Sequence, residues 1–210
     1  MKQNTVLIAV IALLIGGIIG YSLIDSDEYG MYGMGGEDHD MMDMDDRDYG
    51  YDDMPMGNMG GMDHSMMMVS SEREFVTGMI PHHQEAVDTA KEVLARGGST
   101  EAIRTLATDI IAAQETEIAM LKQWHLDWYG EEYVADDSYM PMMRDLSQLS
   151  GAELDRTFLE DMIPHHMGAI MMAQSVRPYI EHQEVTDMAN AIMETQTAEI
   201  SLMRELLKTL

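Results

Sequence analysis

The chain has 210 residues, enough for one ordinary domain and extra segments. Its 38 acidic and 12 basic residues give a net charge of -26, which argues against nucleic acid, whose phosphates need Lys and Arg, and favours solubility and the attraction of cations. There is no cysteine, so disulfides, thiolate metal sites and cysteine nucleophiles are excluded, whereas methionine, at 25 residues, is far above ordinary usage.

Residues 6–24, VLIAVIALLIGGIIGYSLI, are uncharged and almost wholly apolar. As a helix they span about 29 Å, roughly the hydrocarbon thickness of a bilayer. Lys2 precedes the run, and Asp25, Asp27 and Glu28 follow it. The positive-inside rule then places the N-terminus in the cytoplasm and the rest outside. The expectation for 1–24 is an uncleaved anchor in the cytoplasmic membrane, with a cleaved signal peptide as the alternative. Gly16 and Gly20 form a G-x-x-x-G pair that can dimerise such an anchor into a homo-oligomer, or equally is ordinary small-residue content.

Residues 25–70 read as a disordered Met/Asp/Gly-rich tether. They hold 13 acidic residues against Arg47 alone, with 8 glycines and 12 methionines. Such a segment buries too little apolar surface to offset the ordering of its backbone. The methionines cluster at 41–44, 54–62 and 66–68, with His39 and His64 among them.

From residue 71 the pattern is helical. Ser71-x-x-Glu74 and Ser150-x-x-Glu153 read as capping boxes. Helices are expected at about 71–95, 100–124, 151–176 and 183–208, with a long connection at 125–150. The segment MIPHH occurs at 79–83 and again at 162–166. It belongs to a larger repeat. Phe75, Met79, Ile80, Pro81, His82, His83, Ala86 and Ala90 match Phe158, Met162, Ile163, Pro164, His165, His166, Ala169 and Ala173, 83 residues later. Ala107, Ile110, Gln114, Glu117 and Ile118 match Ala189, Ile192, Gln196, Glu199 and Ile200, 82 later. Each half (71–124 and 151–208) is therefore one helical hairpin. The expected fold is all-α, an antiparallel four-helix bundle over 71–210.

The 3–4 spacing of Phe75, Met79, His82 and Ala86 turns His82 toward the core, and His165 likewise. A second apolar stripe, Val76, Ile80, His83, Val87 and Leu94, passes through His83, so one histidine of each pair faces the bundle axis and the other a helix–helix seam or solvent, with either assignment open. Pro81 and Pro164 imply either a kink or a helix start beside each pair. With the first turn near residue 98, His82 lies level with Gln114, and Glu117 lies near Met79. His165 falls within about a turn of Gln196 and Glu199. Polar groups in a core need partners. A hydrogen-bonded core supplies them, and so does a metal. Two copies of M-x-x-H-H beside a methionine-laden tail favour the metal. Thioether and imidazole donors suit Cu(I) and, by the same softness, Ag(I). A di-iron site needs Glu-x-x-His, which does not occur; His82-x-x-Glu85 reverses it, and Gly168 replaces the acid in the second half. EF-hand, H-E-x-x-H and phosphate-loop patterns are also missing. His125 reads as a helix-end cation or surface residue, and His182 as a loop residue without a role.

The segments FVTGMIPHHQEAVDTA (75–90) and FLEDMIPHHMGAIMMAQ (158–174) resemble the paired M-I-P-H-H motifs of a bacterial family labelled as domain of unknown function number three hundred and five, which includes the CopM-like periplasmic copper-binding proteins. AAQETEIAMLKQW (112–124) and ETQTAEISLMREL (194–206) resemble its Q-x-x-E-I helices. The resemblance covers about 70–210. It implies a ferritin-like four-helix fold, export, and for some members copper or silver binding linked to resistance. By motif it makes Met79, His82, His83, Met162, His165 and His166 the ligand candidates. Met167, Met171, Met172, Glu117, Glu199, Gln114 and Gln196 are weaker ones. The expected function is an extracytoplasmic, membrane-tethered protein without catalysis that binds copper, as Cu(I) or Cu(II), or silver. It would buffer the metal or pass it to a copper-handling partner. The alternatives are a ferritin-like metal-dependent oxidoreductase and a structural module without metal.

Overall fold

A computed structural model describes residues 67–135 and 139–210. The expected anchor at 6–24 and the tether as far as residue 66 lie outside them. Among the described residues, no helix is long and apolar enough to cross a membrane.

Four helices form the described chain: α1 (Glu72–Arg96), α2 (Glu101–Tyr129), α3 (Gly151–Val176) and α4 (Gln183–Thr209). A 3-10 turn, Arg177–Tyr179, precedes the last connection. The Ser71 hydroxyl accepts the Glu74 N–H, as a capping residue should. The Glu74 carboxylate reaches one residue further back than a capping box requires, to the N–H and hydroxyl of Ser70. Thr100 caps α2 through the N–H of Ile103. Ser150 precedes α3 but makes no side-chain cap bond, contrary to the second expected box. Gly151 enters that helix with φ +54°, a left-handed turn that takes the chain away from the extended-to-helical path on which a serine cap depends. α2 runs five residues beyond its expected end, to Gly130 at φ +75°, where the Gly130 N–H bonds the Leu126 carbonyl.

Pro81 and Pro164 lie inside continuous helices. Neither marks a helix start. Each removes one backbone N–H, so the carbonyls of Thr77 and Glu160 lose their usual donor just before the histidine pairs.

Packing is most extensive within each hairpin, α1 with α2 and α3 with α4, and next between α1 and α3. Two apolar clusters fill the bundle. One holds Phe75, Val76 and Met79 of α1 with Leu121, Ala173, Val176, Val185 and Met188. The other holds Ala90 and Val93 with Ile103, Leu106, Leu154, Phe158, Met162 and Met203. The N-terminal half of α1 thus shares a cluster with the C-terminal half of α3, so the two helices run antiparallel. The repeat acts as a two-fold axis that exchanges the clusters: Phe75 and Met79 lie in one, Phe158 and Met162 in the other. The histidine layer lies between them.

The same symmetry governs the ends. The Glu72 carboxylate accepts the N–H groups of Glu181 and His182, at 2.7 and 2.8 Å. The Asp155 carboxylate, 83 residues on, accepts those of Gly98 and Ser99, at 2.6 and 2.7 Å. His182 has a place here that the sequence did not assign: its Nδ1 lies 2.6 Å from Glu72 and its ring stacks on Trp128, centroids 3.8 Å apart.

Candidate metal centre

α1 touches both α2 and α3, and successive helical residues point about 100° apart. One histidine of each pair therefore meets the partner hairpin and the other its own. The His82 and His165 rings meet across α1 and α3, with centroids 3.9 Å apart and planes tilted by 37°. His83 Nε2 lies 2.9 Å from Glu117 of α2. His166 Nε2 lies 2.7 Å from Glu199 of α4 and donates its N–H to that carboxylate. None of the four residues exposes more than 1% of its surface. The seam that sequence reading offered for the second histidine is the one occupied.

His165 Nε2 has Glu85 at 3.3 Å. His82 alone of the four pairs with no carboxylate, and neither of its ring nitrogens has a hydrogen-bond partner among the described residues. Burial holds the His82 imidazole well below its ordinary pKa, and the nearby rings of His165, His83 and His166 act in the same direction. Burial lowers His165 too, with Glu85 opposing the shift. Both rings are neutral at pH 7 and carry a lone pair. The Nδ1 atoms of His83, His165 and His166 and the side-chain oxygens of Gln114 and Gln196 also lack hydrogen-bond partners among the described residues. Each such buried group costs about 1–3 kcal/mol when left unmade.

That donor set fits a soft or borderline ion better than a hard one. Neutral imidazoles and thioethers carry no charge to balance Mg²⁺ or Ca²⁺. Among the described residues, no three His, Asp or Glu side chains converge in an arrangement that holds an ion by themselves.

Glu85 was not among the expected site residues, and it organises the region. Its Oε1 accepts the backbone N–H groups of Met142 and Met143, both at 2.8 Å, and its Oε2 accepts the Tyr139 hydroxyl. Burial alone raises the Glu85 carboxyl, but contacts from His165, Tyr139 and the Met143 N–H outweigh it and hold the group below its ordinary value. The connection between α2 and α3 is thereby drawn over the histidine layer. The sequence signals were the reversed His82-x-x-Glu85 pattern and the run Met140-Pro141-Met142-Met143; their meeting across the fold left no local mark.

The remaining candidates divide. Glu117 and Glu199 pair with histidines, with Gln114 and Gln196 buried one turn before them. Met79 and Met162 are fully buried in the flanking apolar clusters, as Met172 is largely buried in the first. Met167 packs half-buried against the second cluster, and Met171 is half-buried outside both. His125 is neither terminal nor on the surface. It is buried inside the longer α2, its Nδ1 2.9 Å from the Glu131 carbonyl and its ring edge-on to Tyr129 and Tyr133. The absence of Gly or Pro before Gly130 carries the helix past it.

The family described as Domain of unknown function (DUF305) matches residues 31–125 and 72–207. Among solved structures, CopM in the Cu(I)-bound form is 34% identical, covers 67% of this chain and 98% of its own, and superposes with a TM-score of 0.60. CopM in the Ag-bound form, obtained by soaking, is 30% identical with the same coverages and TM-score. A DUF305 fragment from Deinococcus radiodurans is 30% identical over 68% of this chain and 99% of its own, with a TM-score of 0.58. Comparison with curated proteins gives no match.

Proposed function

The chain belongs to the DUF305 family, and on that footing we propose that it is an extracytoplasmic copper-binding protein, tethered to the cytoplasmic membrane, that buffers copper or hands it to a partner without catalytic turnover. The observation that carries the reading is the layer of four buried imidazoles, each with at least one ring nitrogen that lacks a hydrogen-bond partner among the described residues. Similarity to CopM in its Cu(I)-, Cu(II)- and Ag-bound forms supports copper, with silver as its chemical mimic. The apolar run 6–24 followed by acidic residues supports the tether, and the methionines of 25–70 support capture of soft ions outside the membrane.

The carboxylates set which nitrogen is offered. When His166 donates its Nε2–H to Glu199, Nδ1 keeps the lone pair, and Nδ1 is the atom without a partner. Glu117 lies in the same place beside His83. The flanking apolar clusters exclude water, and burial favours the neutral form of the His82 and His165 rings. Bound copper supplies a Lewis acid that takes these lone pairs in place of hydrogen bonds.

The test is an anaerobic Cu(I) titration of the full chain against a competing chelator, beside a variant with His82, His83, His165 and His166 changed to alanine. Circular dichroism verifies that the variant folds. The variant loses tightly held copper while the parent keeps it. Equal stoichiometry and affinity in both would remove the histidine layer from the reading.

A further inference from the structure

The two halves differ at one place in the histidine layer. The repeat sets Glu85 opposite Gly168. His165 faces Glu85, whereas its counterpart His82 faces Gly168, which has no side chain. A carbon placed where a Gly168 side chain would begin lies 3.1 Å from His82 Nε2, 3.2 Å from Met67 Sδ and 3.4 Å from the Met142 methyl. Three segments distant in sequence thus converge on one small space: α1, the end of the methionine-rich tail, and the connection before α3. The His82 nitrogen aimed into it is buried and has no hydrogen-bond partner among the described residues.

Each side chain is held there by other contacts. The Val69 N–H bonds the Ser175 hydroxyl at 3.0 Å, and Ser70 bonds Glu74, which fixes Met67 at the entry to α1. Glu85 fixes Met142 through its N–H. Gly168 is buried on α3, within one turn of His165.

We propose that His82 Nε2 and the thioethers of Met67 and Met142 form a binding site for one soft monovalent cation, Cu(I) or Ag(I), in the space that Gly168 leaves open. The inference rests on the copper reading and assigns it a distinct place. The donors are all uncharged, so the site takes Cu(I) or Ag(I) and discriminates against Ca²⁺, Mg²⁺ and Zn²⁺. It also joins the tail to the imidazole layer: Met67 lies in the tail's last methionine run, Met66-Met67-Met68. An ion captured by tail thioethers reaches His82 while still held by sulfur.

The experiment uses the full chain with ¹³C-methyl-labelled methionine and ¹⁵N-labelled histidine, titrated anaerobically with Ag(I) and followed by NMR. The Met67 and Met142 signals are assigned from Met67→Leu and Met142→Leu. Both signals move together during the first equivalent, and neither moves with Zn²⁺. Gly168→Ala keeps every donor but fills the space with a methyl group; it abolishes the shared shift while the thermal transition is retained. Movement of other methionine signals with Met67 and Met142 still overturns this site and leaves the copper reading standing. No movement of any methionine or histidine signal overturns both. A shared shift that persists in Gly168→Ala places the ion elsewhere and overturns the proposal as well.

Discussion

Glu72 and Asp155, 83 residues apart, hold each other's hairpins: the acid at the start of α1 caps the connection into α4, and the acid at the start of α3 caps the connection into α2. Each takes two backbone N–H groups that would otherwise be unpaired. Asp155→Ala leaves those of Gly98 and Ser99 without an acceptor in a region where Asp155 itself is fully buried. Two hydrogen bonds to a charged group are together worth about 3 kcal/mol or more. Urea unfolding shows this as a lower midpoint at unchanged slope. A midpoint equal to the parent's would mean that the turn holds itself.

Glu85 fixes the connection over the metal layer, so Glu85→Ala frees Tyr139, Met142 and Met143 together. The expected cost is about 3 kcal/mol of stability from lost charge-assisted bonds. Hydrogen exchange at the Met142 and Met143 amides rises in parallel. Exchange that stays slow in the variant would show that the apolar contact of Leu146, rather than Glu85, holds the segment.

Metal-free protein loses stability in mild acid. His82 and His165 have folded pKa values below the ordinary value of 6.5. The unfolded chain therefore binds protons first as pH falls, and stability is full above pH 6.5 and declines below it. Each histidine contributes a slope of about 1.4 kcal/mol per pH unit while its folded form stays neutral. The groups facing the pair are His83 and Glu85 on α1, Glu117 on α2, His166 on α3 and Glu199 on α4. Urea midpoints between pH 7.5 and 5.5 measure the decline. A flat profile would show that the two rings take up protons in the folded protein as readily as in the unfolded chain.

Gln114 and Gln196 bury side-chain oxygens that lack a hydrogen-bond partner among the described residues. Gln114→Leu removes that group at similar volume, so the metal-free protein gains about 1 kcal/mol. Copper affinity of the variant separates two roles. Unchanged affinity makes Gln114 a bystander, and a tenfold loss makes it a donor to the ion.

Much of the architecture was legible because it was written twice. The repeat, the two glycine- or proline-marked breaks and the 3–4 spacing give four helices, with three of the four ends correct to a residue or so. α2 escaped because its stop is set by a single left-handed residue, Gly130, and Trp124, His125 and Trp128 look as much like a loop as a helix end. Ser150 was misread because the conformation of its neighbour Gly151 decides whether a serine can cap. In the site, folding each hairpin about its turn brings Glu117 and Glu199 to the histidine layer, though not to the particular ring each one meets. The meeting of Glu85 with Met142, and of His82 with Met67, does not follow from it. These contacts join segments whose meeting depends on how two hairpins pack and where a long connection lies, and no local period records that.

The pseudo-two-fold has a further consequence for how the two halves can change. A hairpin that assembled with an identical copy would carry every substitution in both places. Loss of the acid at position 85 would then have stripped both inner histidines of their partner. Covalent fusion of the copies removes that constraint. One half holds the carboxylate that pins the long connection, and the other has an open space in its place, so a duplicated sequence supports two unlike environments on either side of one imidazole pair.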